Sequence, residues 1–263
     1  MRRKPGTGRR VAGVADVQRA WSTTGARVER IDRVLVDDLD EVTLVTGPEA
    51  HHLRDVLRVK VGSVVEAFDG RGSYARGQVV AADKDGVTLS LGEAQVSSAE
   101  PEQRVTIAVA LLKGDKLVDV VRPATELGVK RFVTFVSTNC EARELSAAKL
   151  SRLRRVAQEA ARQSGRSVVP TVEEPVELTG LELSGTVIVG DPASSVGLAE
   201  HLDDLLDSPE VTFLTGPEGG LTEAEVHGLV EAGALGVRLG PRVLRADTAP
   251  VAMVAALLLI GGR

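Results

Sequence analysis

The chain has 263 residues, 43% of them apolar and 2% aromatic, with one cysteine and a net charge of −5. That length allows one large or two ordinary domains, with cores built mainly of Val, Leu and Ala. The charge excludes a protein that coats nucleic acid wholesale. The lone cysteine excludes a disulfide framework and suits a reducing cytoplasm, and no apolar run reaches the ~18 residues of a membrane helix.

Residues 1–25 carry Arg2, Arg3, Lys4, Arg9, Arg10 and Arg19 against a single acid, Asp16. Gly and Pro interrupt this segment and large apolar residues are few, so it reads as a disordered basic tail. Val11–Ala15 is too short for a secretory signal. From residue 26 to 97 the pattern is one of short strands: Val28–Ile31, Val34–Val36, Val42–Val45, Ser63–Phe68, Tyr74–Ala82 and Val87–Leu91. Asp69-Gly-Arg-Gly and Asp83-Lys-Asp-Gly are hairpin turn signals. One helix interrupts them, from Pro48 to about Val59, with Thr46 and Glu49 as a capping box. Six strands and a helix predict a small barrel. Arg54, Arg58 and Lys60, with Arg71 and Arg76, can give it a phosphate-facing side.

Ser97–Gln103 is polar, contains a proline and reads as the domain boundary. Beyond it strands and helices alternate. Strands are expected at Val105–Leu112, Arg131–Ser137, Thr186–Gly190, Val211–Thr215 and Gly236–Leu239. Helices are expected at 114–127, 146–164, 196–206, 222–232 and 248–260. That order predicts an α/β domain over 98–263 with a parallel sheet.

Two glycine-containing loops follow late strands: Leu214-Thr-Gly-Pro-Glu-Gly-Gly-Leu-Thr-Glu-Ala-Glu225 and Leu239-Gly-Pro-Arg-Val-Leu-Arg-Ala-Asp-Thr248. Such loops let a ligand approach the backbone at the carboxyl end of a strand, beside free helical N–H groups. Neither the dinucleotide fingerprint after the first strand nor the P-loop motif occurs. Thr-Gly-Pro-Glu appears twice, at 46–49 and at 215–218. Only the second copy continues into Gly219-Gly220, so the double glycine carries the signal.

Five segments together resemble the ribosomal RNA small subunit methyltransferase E family. They are the two loops just quoted; His51-His-Leu-Arg-Asp-Val-Leu-Arg58; Lys113-Gly-Asp-Lys-Leu117 with Ala124-Thr-Glu-Leu-Gly128; and Glu159-Ala-Ala-Arg-Gln-Ser-Gly-Arg166. At position 247 the family commonly has Glu, where this chain has Asp. The resemblance implies a PUA-like β-barrel followed by a SPOUT-type parallel sheet with a C-terminal trefoil knot. It implies a cytoplasmic homodimer that methylates N3 of a uridine in 16S rRNA or the small ribosomal subunit. The cofactor would be S-adenosyl-L-methionine, with no metal and no membrane. It places Gly190, Leu214, Thr215, Gly216, Gly219, Gly220, Leu239, Gly240, Leu244, Thr248 and Ala249 at that cofactor. A related knotted methyltransferase acting on another base, and a non-catalytic RNA-binding assembly factor, stand as alternatives.

The methyl donor needs no metal, because its sulfonium already makes the methyl carbon electrophilic. The difficult partner is uridine N3, whose lone pair appears only when its proton leaves. Negative charge then spreads over O2, N3 and O4 and must be stabilised. Arg245 is the candidate for that role, against a phosphate contact or an ion pair with Asp247. Glu218 is a candidate base or orienter, against a carboxylate capping nearby N–H groups. Arg152, Arg155, Arg162 and Arg166 form a stripe that is either solvated or RNA-binding. The resemblance assigns Arg162 and Arg166 to RNA, with Lys113 and Lys116.

Overall fold

The computed structural model describes residues 31–260. The basic tail and all but the last residue of the expected strand Val28–Ile31 lie outside the described residues.

The first sheet contains β1 (Asp32–Leu35), β2 (Val42–Val45), β3 (Val64–Phe68), β4 (Ser73–Ala82), β5 (Val87–Leu91) and β6 (Gln95–Val96). Its order is β1-β3-β4-β5-β2, with β6 paired to β4. Only β1 and β3 run parallel. Alternating inward residues, among them Val34, Val65, Ala75, Val79 and Leu89, bury one face with Leu53 from the intervening helix.

That helix differs from expectation. α1 covers only Gly47–His51, and a π-helical turn, His52–Val56, completes it. Arg58 then turns the chain away with φ +55°. Thr46 makes no side-chain cap. The other half of the expected capping box has left: Glu49 accepts from Gln158 Nε2 at 2.7 Å and from Arg162 Nη1 at 3.0 Å. A charged partner over a hundred residues away has outcompeted the local backbone N–H.

The second sheet takes β7 (Arg104–Ala110), β8 (Arg131–Val136), β9 (Thr171–Val172), β10 (Val176–Glu177), β11 (Thr186–Gly190), β12 (Glu210–Thr215) and β13 (Leu235–Val237). Its order is β10-β8-β7-β12-β11-β13, with β9 beside β8. Every pairing is parallel. The helices are α2 (Lys116–Leu127), α3 (Ala147–Ser164), α4 (Leu202–Asp207), α5 (Glu223–Glu231) and α6 (Thr248–Ile260). A 3₁₀ turn, Leu198–His201, takes the first part of the helix expected at 196–206. The two-residue strands β9 and β10 had no signal in the sequence. α2 packs against α3 and α6, and α6 lies on β7 and β12.

All four phenylalanines of the chain, Phe68, Phe132, Phe135 and Phe213, are wholly buried. Few as they are, each contributes about 1.5–3 kcal/mol by burial. The core of mainly Val, Leu and Ala therefore also holds these four rings.

The connection between the sheets is fastened rather than loose. Glu100 accepts from Arg166 Nη2 at 2.7 Å and from the N–H groups of Ser167 and Val168 at 2.9 and 3.0 Å. Arg166 Nη1 donates to the carbonyls of Thr125 and Val129, both at 2.7 Å. From the first sheet, Arg33 donates to the Arg166 carbonyl at 2.7 Å and pairs with Glu66 at 2.8 Å. Its guanidinium also lies 4.6 Å from the Phe68 ring centre.

Two residues expected at RNA make internal contacts here. Arg166 is 2% exposed, and its hydrogen bonds are committed to Glu100 and the C-terminal carbonyls of α2. Arg162 is held by Glu49 at 3.0 Å, with its side chain 17% exposed. Both are structural cations that join the two sheets.

Candidate active site

Because the strands are parallel, the loops after β11, β12 and β13 leave the sheet at one edge. The loops after β11 and β13 are tied together there. Asp191 N–H donates to the Val237 carbonyl at 2.8 Å, Arg238 N–H to the Val196 carbonyl at 2.9 Å, and Leu198 N–H to the Arg238 carbonyl at 3.1 Å. Between them lies a cavity of about 650 Å³, within the ~300–1,000 Å³ range of small-molecule sites.

Gly190, Thr215, Gly216, Gly219, Gly220, Leu239, Leu244 and Ala249 line this cavity, as do Glu218 and Arg245. Three expected residues do not. Leu214 is wholly buried in the strand core. Gly240 shapes its loop with φ +90°. Thr248 opens α6, its hydroxyl 3.4 Å from the Asp247 carboxylate. Lys116, expected at RNA, also lines the cavity, together with Asp191, Pro192, Leu221, Arg242 and Val243. Asp191 and Pro192 carried no motif that sequence reasoning could have used.

The glycines let the loop fold tightly on itself at the cavity wall. A Cβ at Gly216 would stand 2.9 Å from the Leu221 nitrogen, closer than side chains come to backbone. Gly220 has φ +72°, which strains any residue with a Cβ. The Thr215 hydroxyl is buried without a hydrogen-bond partner among the described residues. A buried hydroxyl without a partner on a cavity wall is a donor or acceptor available to a polar ligand.

Neighbouring segments hold the glycine loop. Asn139 Nδ2 donates to the carbonyls of Gly219 and Gly220 at 3.2 and 3.1 Å. Thr222 and Glu225 form the expected capping box of α5. The second oxygen of Glu225 accepts from Thr138 N–H at 2.8 Å and from its hydroxyl at 2.9 Å. Burial pushes the Glu225 carboxyl up, but the bonds from Thr138 and Thr222 outweigh it and leave it below its ordinary value.

Glu218 accepts from Lys113 N–H at 3.1 Å and from Lys116 Nζ at 2.8 Å. Burial again works upward, and the bonds from Lys116, its own N–H and Lys113 again prevail, so this carboxyl too sits below its ordinary value. A carboxylate so stabilised is a weak base. Its geometry is that of an anchor holding the loop against α2. Lys113 Nζ turns away to Glu141 at 2.6 Å. The Arg245 carbonyl starts α6 by accepting from Thr248 N–H and Ala249 N–H at 3.0 and 2.9 Å. Its exposed side chain makes no hydrogen bond or ion pair among the described residues, with Asp247 or otherwise.

Family comparison agrees with this arrangement. Residues 99–258 match the RNA methyltransferase domain family, and residues 45–92 match the RNA methyltransferase PUA domain. Ribosomal RNA small subunit methyltransferase E of Bacillus subtilis is 31% identical over 225 residues, which cover 81% of this chain and 88% of that protein. The chain belongs to the ribosomal RNA small subunit methyltransferase E family. The methyltransferase E of a Synechocystis strain is 33% identical, covering 81% of this chain and 71% of its own. A crystal structure of methyltransferase E from Neisseria gonorrhoeae, bound to S-adenosyl methionine, superposes with a TM-score of 0.78. It is 27% identical and is matched over 88% of this chain and 98% of its own. The chain therefore spans most of the length of these methyltransferase E proteins.

Proposed function

We propose that the protein binds S-adenosylmethionine in the cavity between the loops after β11, β12 and β13, and methylates N3 of a uridine in 16S rRNA of the small ribosomal subunit. The observation that carries this reading is the cavity itself. It is walled by glycines at which a side chain would collide or strain, and Arg245 is uncommitted at its lining. When bound, the cofactor supplies an electrophilic methyl carbon.

The residues of the chain do the rest. Thr215 offers its unpartnered hydroxyl, and Gly190, Gly216, Gly219 and Gly220 offer backbone to a flat ligand. Leu239, Leu244 and Ala249 exclude water from its apolar parts. Arg245 stabilises negative charge on the uridine O2–N3–O4 system as the N3 proton leaves, which a fixed, permanently charged guanidinium does well. Glu218 keeps Lys116 and the glycine loop in register.

Further elements of the reading rest on the fold. Residues 26–97 form an RNA-binding domain and 98–263 the catalytic domain, as two separate apolar clusters support. β12 lies between β7 and β11, with β13 outside them, an order compatible with a C-terminal trefoil knot. α6 is apolar on all sides and leaves Leu259 70% exposed. This supports a homodimer that buries that helix. The protein works in the cytoplasm, where its RNA substrate is. Mass mapping of 16S rRNA from a strain lacking the gene tests the activity. Loss of one N3-methyluridine, restored by the parent gene, is expected; an unchanged level refutes it.

A further inference from the structure

A second cavity, of about 560 Å³, opens between the first sheet's helix and α3, away from the glycine loops. α1 and its π-turn supply Glu49 and His52, and α3 supplies Arg154, Arg155, Glu159 and Arg162. We infer that this cleft is a second RNA site that grips a backbone phosphate at a distance from the base being methylated.

The cations are present and partly free. Arg155 is exposed and makes no hydrogen bond or ion pair among the described residues. Arg154 uses only Nε, donating to the Val172 carbonyl at 3.0 Å, so its two Nη groups remain available. Glu49 is neutralised within the wall by Arg162 and Gln158. Glu159 is the one acid there without a partner among the described residues. Burial, and then Arg162, lowers the His52 pKa, so near neutral pH His52 offers a hydrogen bond and no charge. Two forked guanidinium groups beside a neutral donor suit a phosphate.

The cleft also connects to the candidate active site. Lys116 lines the first cavity, and its neighbour Asp115 binds Arg152 at 2.8 Å. Arg152 and Arg155 stand three apart on α3, so their side chains are neighbours about 5–6 Å apart at Cβ. Lys116 and Arg152, each paired with a carboxylate, and Arg155, unpaired among the described residues, thus stand in the stretch between the two cavities. A nucleotide chain crossing this stretch would keep its target base at the glycine loops and a distal phosphate in the cleft. This use of the cleft rests on the proposed RNA substrate.

Fluorescence anisotropy with a labelled single-stranded 16S rRNA fragment tests it, alongside methylation kinetics and calorimetric titration of S-adenosylmethionine. Arg155→Glu should weaken RNA binding about tenfold and flatten its salt dependence by about 0.7 in log–log slope for each phosphate no longer neutralised. It should raise the KM for RNA while leaving kcat and cofactor affinity at parent values. Glu159→Gln should tighten RNA binding, a gain that misfolding does not mimic. If the Arg155→Glu and Glu159→Gln proteins bind RNA like the parent while methylation proceeds, the cleft assignment is overturned and the activity stands. If the parent binds RNA through Arg155 but transfers no methyl group, the cleft stands and the activity falls. A parent that binds no RNA overturns both.

Discussion

Replacing Arg166 by alanine removes a guanidinium whose side chain is 3% exposed and whose partner Glu100 is 10% exposed. Four hydrogen bonds go with it: two to Glu100 at 3.1 and 2.7 Å, and two to the carbonyls of Thr125 and Val129. Glu100 keeps the N–H groups of Ser167 and Val168 but loses its countercharge in a nearly dry setting. Breaking such a pair by deleting one partner costs about 3–5 kcal/mol. That is a large part of the roughly 5–15 kcal/mol that separates folded from unfolded domains. For a chain of this size it lowers Tm by about 6–20 °C. Urea unfolding followed by circular dichroism measures the loss. A further Glu100→Gln substitution in the Arg166→Ala protein should recover part of it, because the stranded charge is gone. If Arg166→Ala unfolds within about 1 kcal/mol of the parent, the buried latch is not holding the sheets. A variant of parent stability that instead loses RNA binding would return Arg166 to the role read from the sequence.

Four other outcomes are expected. Arg245→Ala should lower kcat by roughly a hundredfold or more while cofactor affinity stays near that of the parent; methylation near the parent rate would remove Arg245 from the chemistry. Gly220→Leu forces a side chain into a backbone of φ +72° and should abolish S-adenosylmethionine binding in calorimetry, and parent affinity would show that the loop does not touch the cofactor. Thr222→Ala removes the side-chain half of the α5 capping box and should cost about 1 kcal/mol in chemical denaturation. The Glu225 carboxyl is lowered from 4.5 in the folded protein, so its contribution is present above that value and is lost as pH falls through the folded value. The Tm gap between parent and Glu225→Gln should therefore be steady near neutral pH and shrink in acid; a gap that widens in acid contradicts the sign.

Local chemistry was legible and distant pairing was not. β2, β5, β11 and α6 end where alternation, turn residues and apolar runs say they should. The double glycine and the Thr222–Glu225 box likewise need only neighbours within a few residues. Glu49 and Arg166 show where that information stops. The first looked like half of a capping box and the second like an RNA-binding arginine at the end of a helical stripe. Each is claimed by a partner 66 to 113 residues away. No periodicity encodes such a partner, because it depends on how two sheets are brought together. Asn139 was invisible for the same reason, since its two acceptors lie 80 and 81 residues further on.

The loop that follows β12 has no regular structure, yet Lys113, Lys116 and Asn139 grip it from outside and Glu225 secures it to Thr138. Ordering a free backbone costs about 1–2 kcal/mol per residue. Here the fold has already met that cost before any ligand arrives. Binding in this cavity should therefore show little of the unfavourable entropy that accompanies a closing lid, and its heat should reflect direct interactions with the ligand. The Gly220 amide hydrogen, bonded to the Pro217 carbonyl at 2.9 Å, should exchange slowly for an irregular segment even without cofactor. Rapid exchange that slows only on binding would describe a different kind of pocket, one made by its ligand.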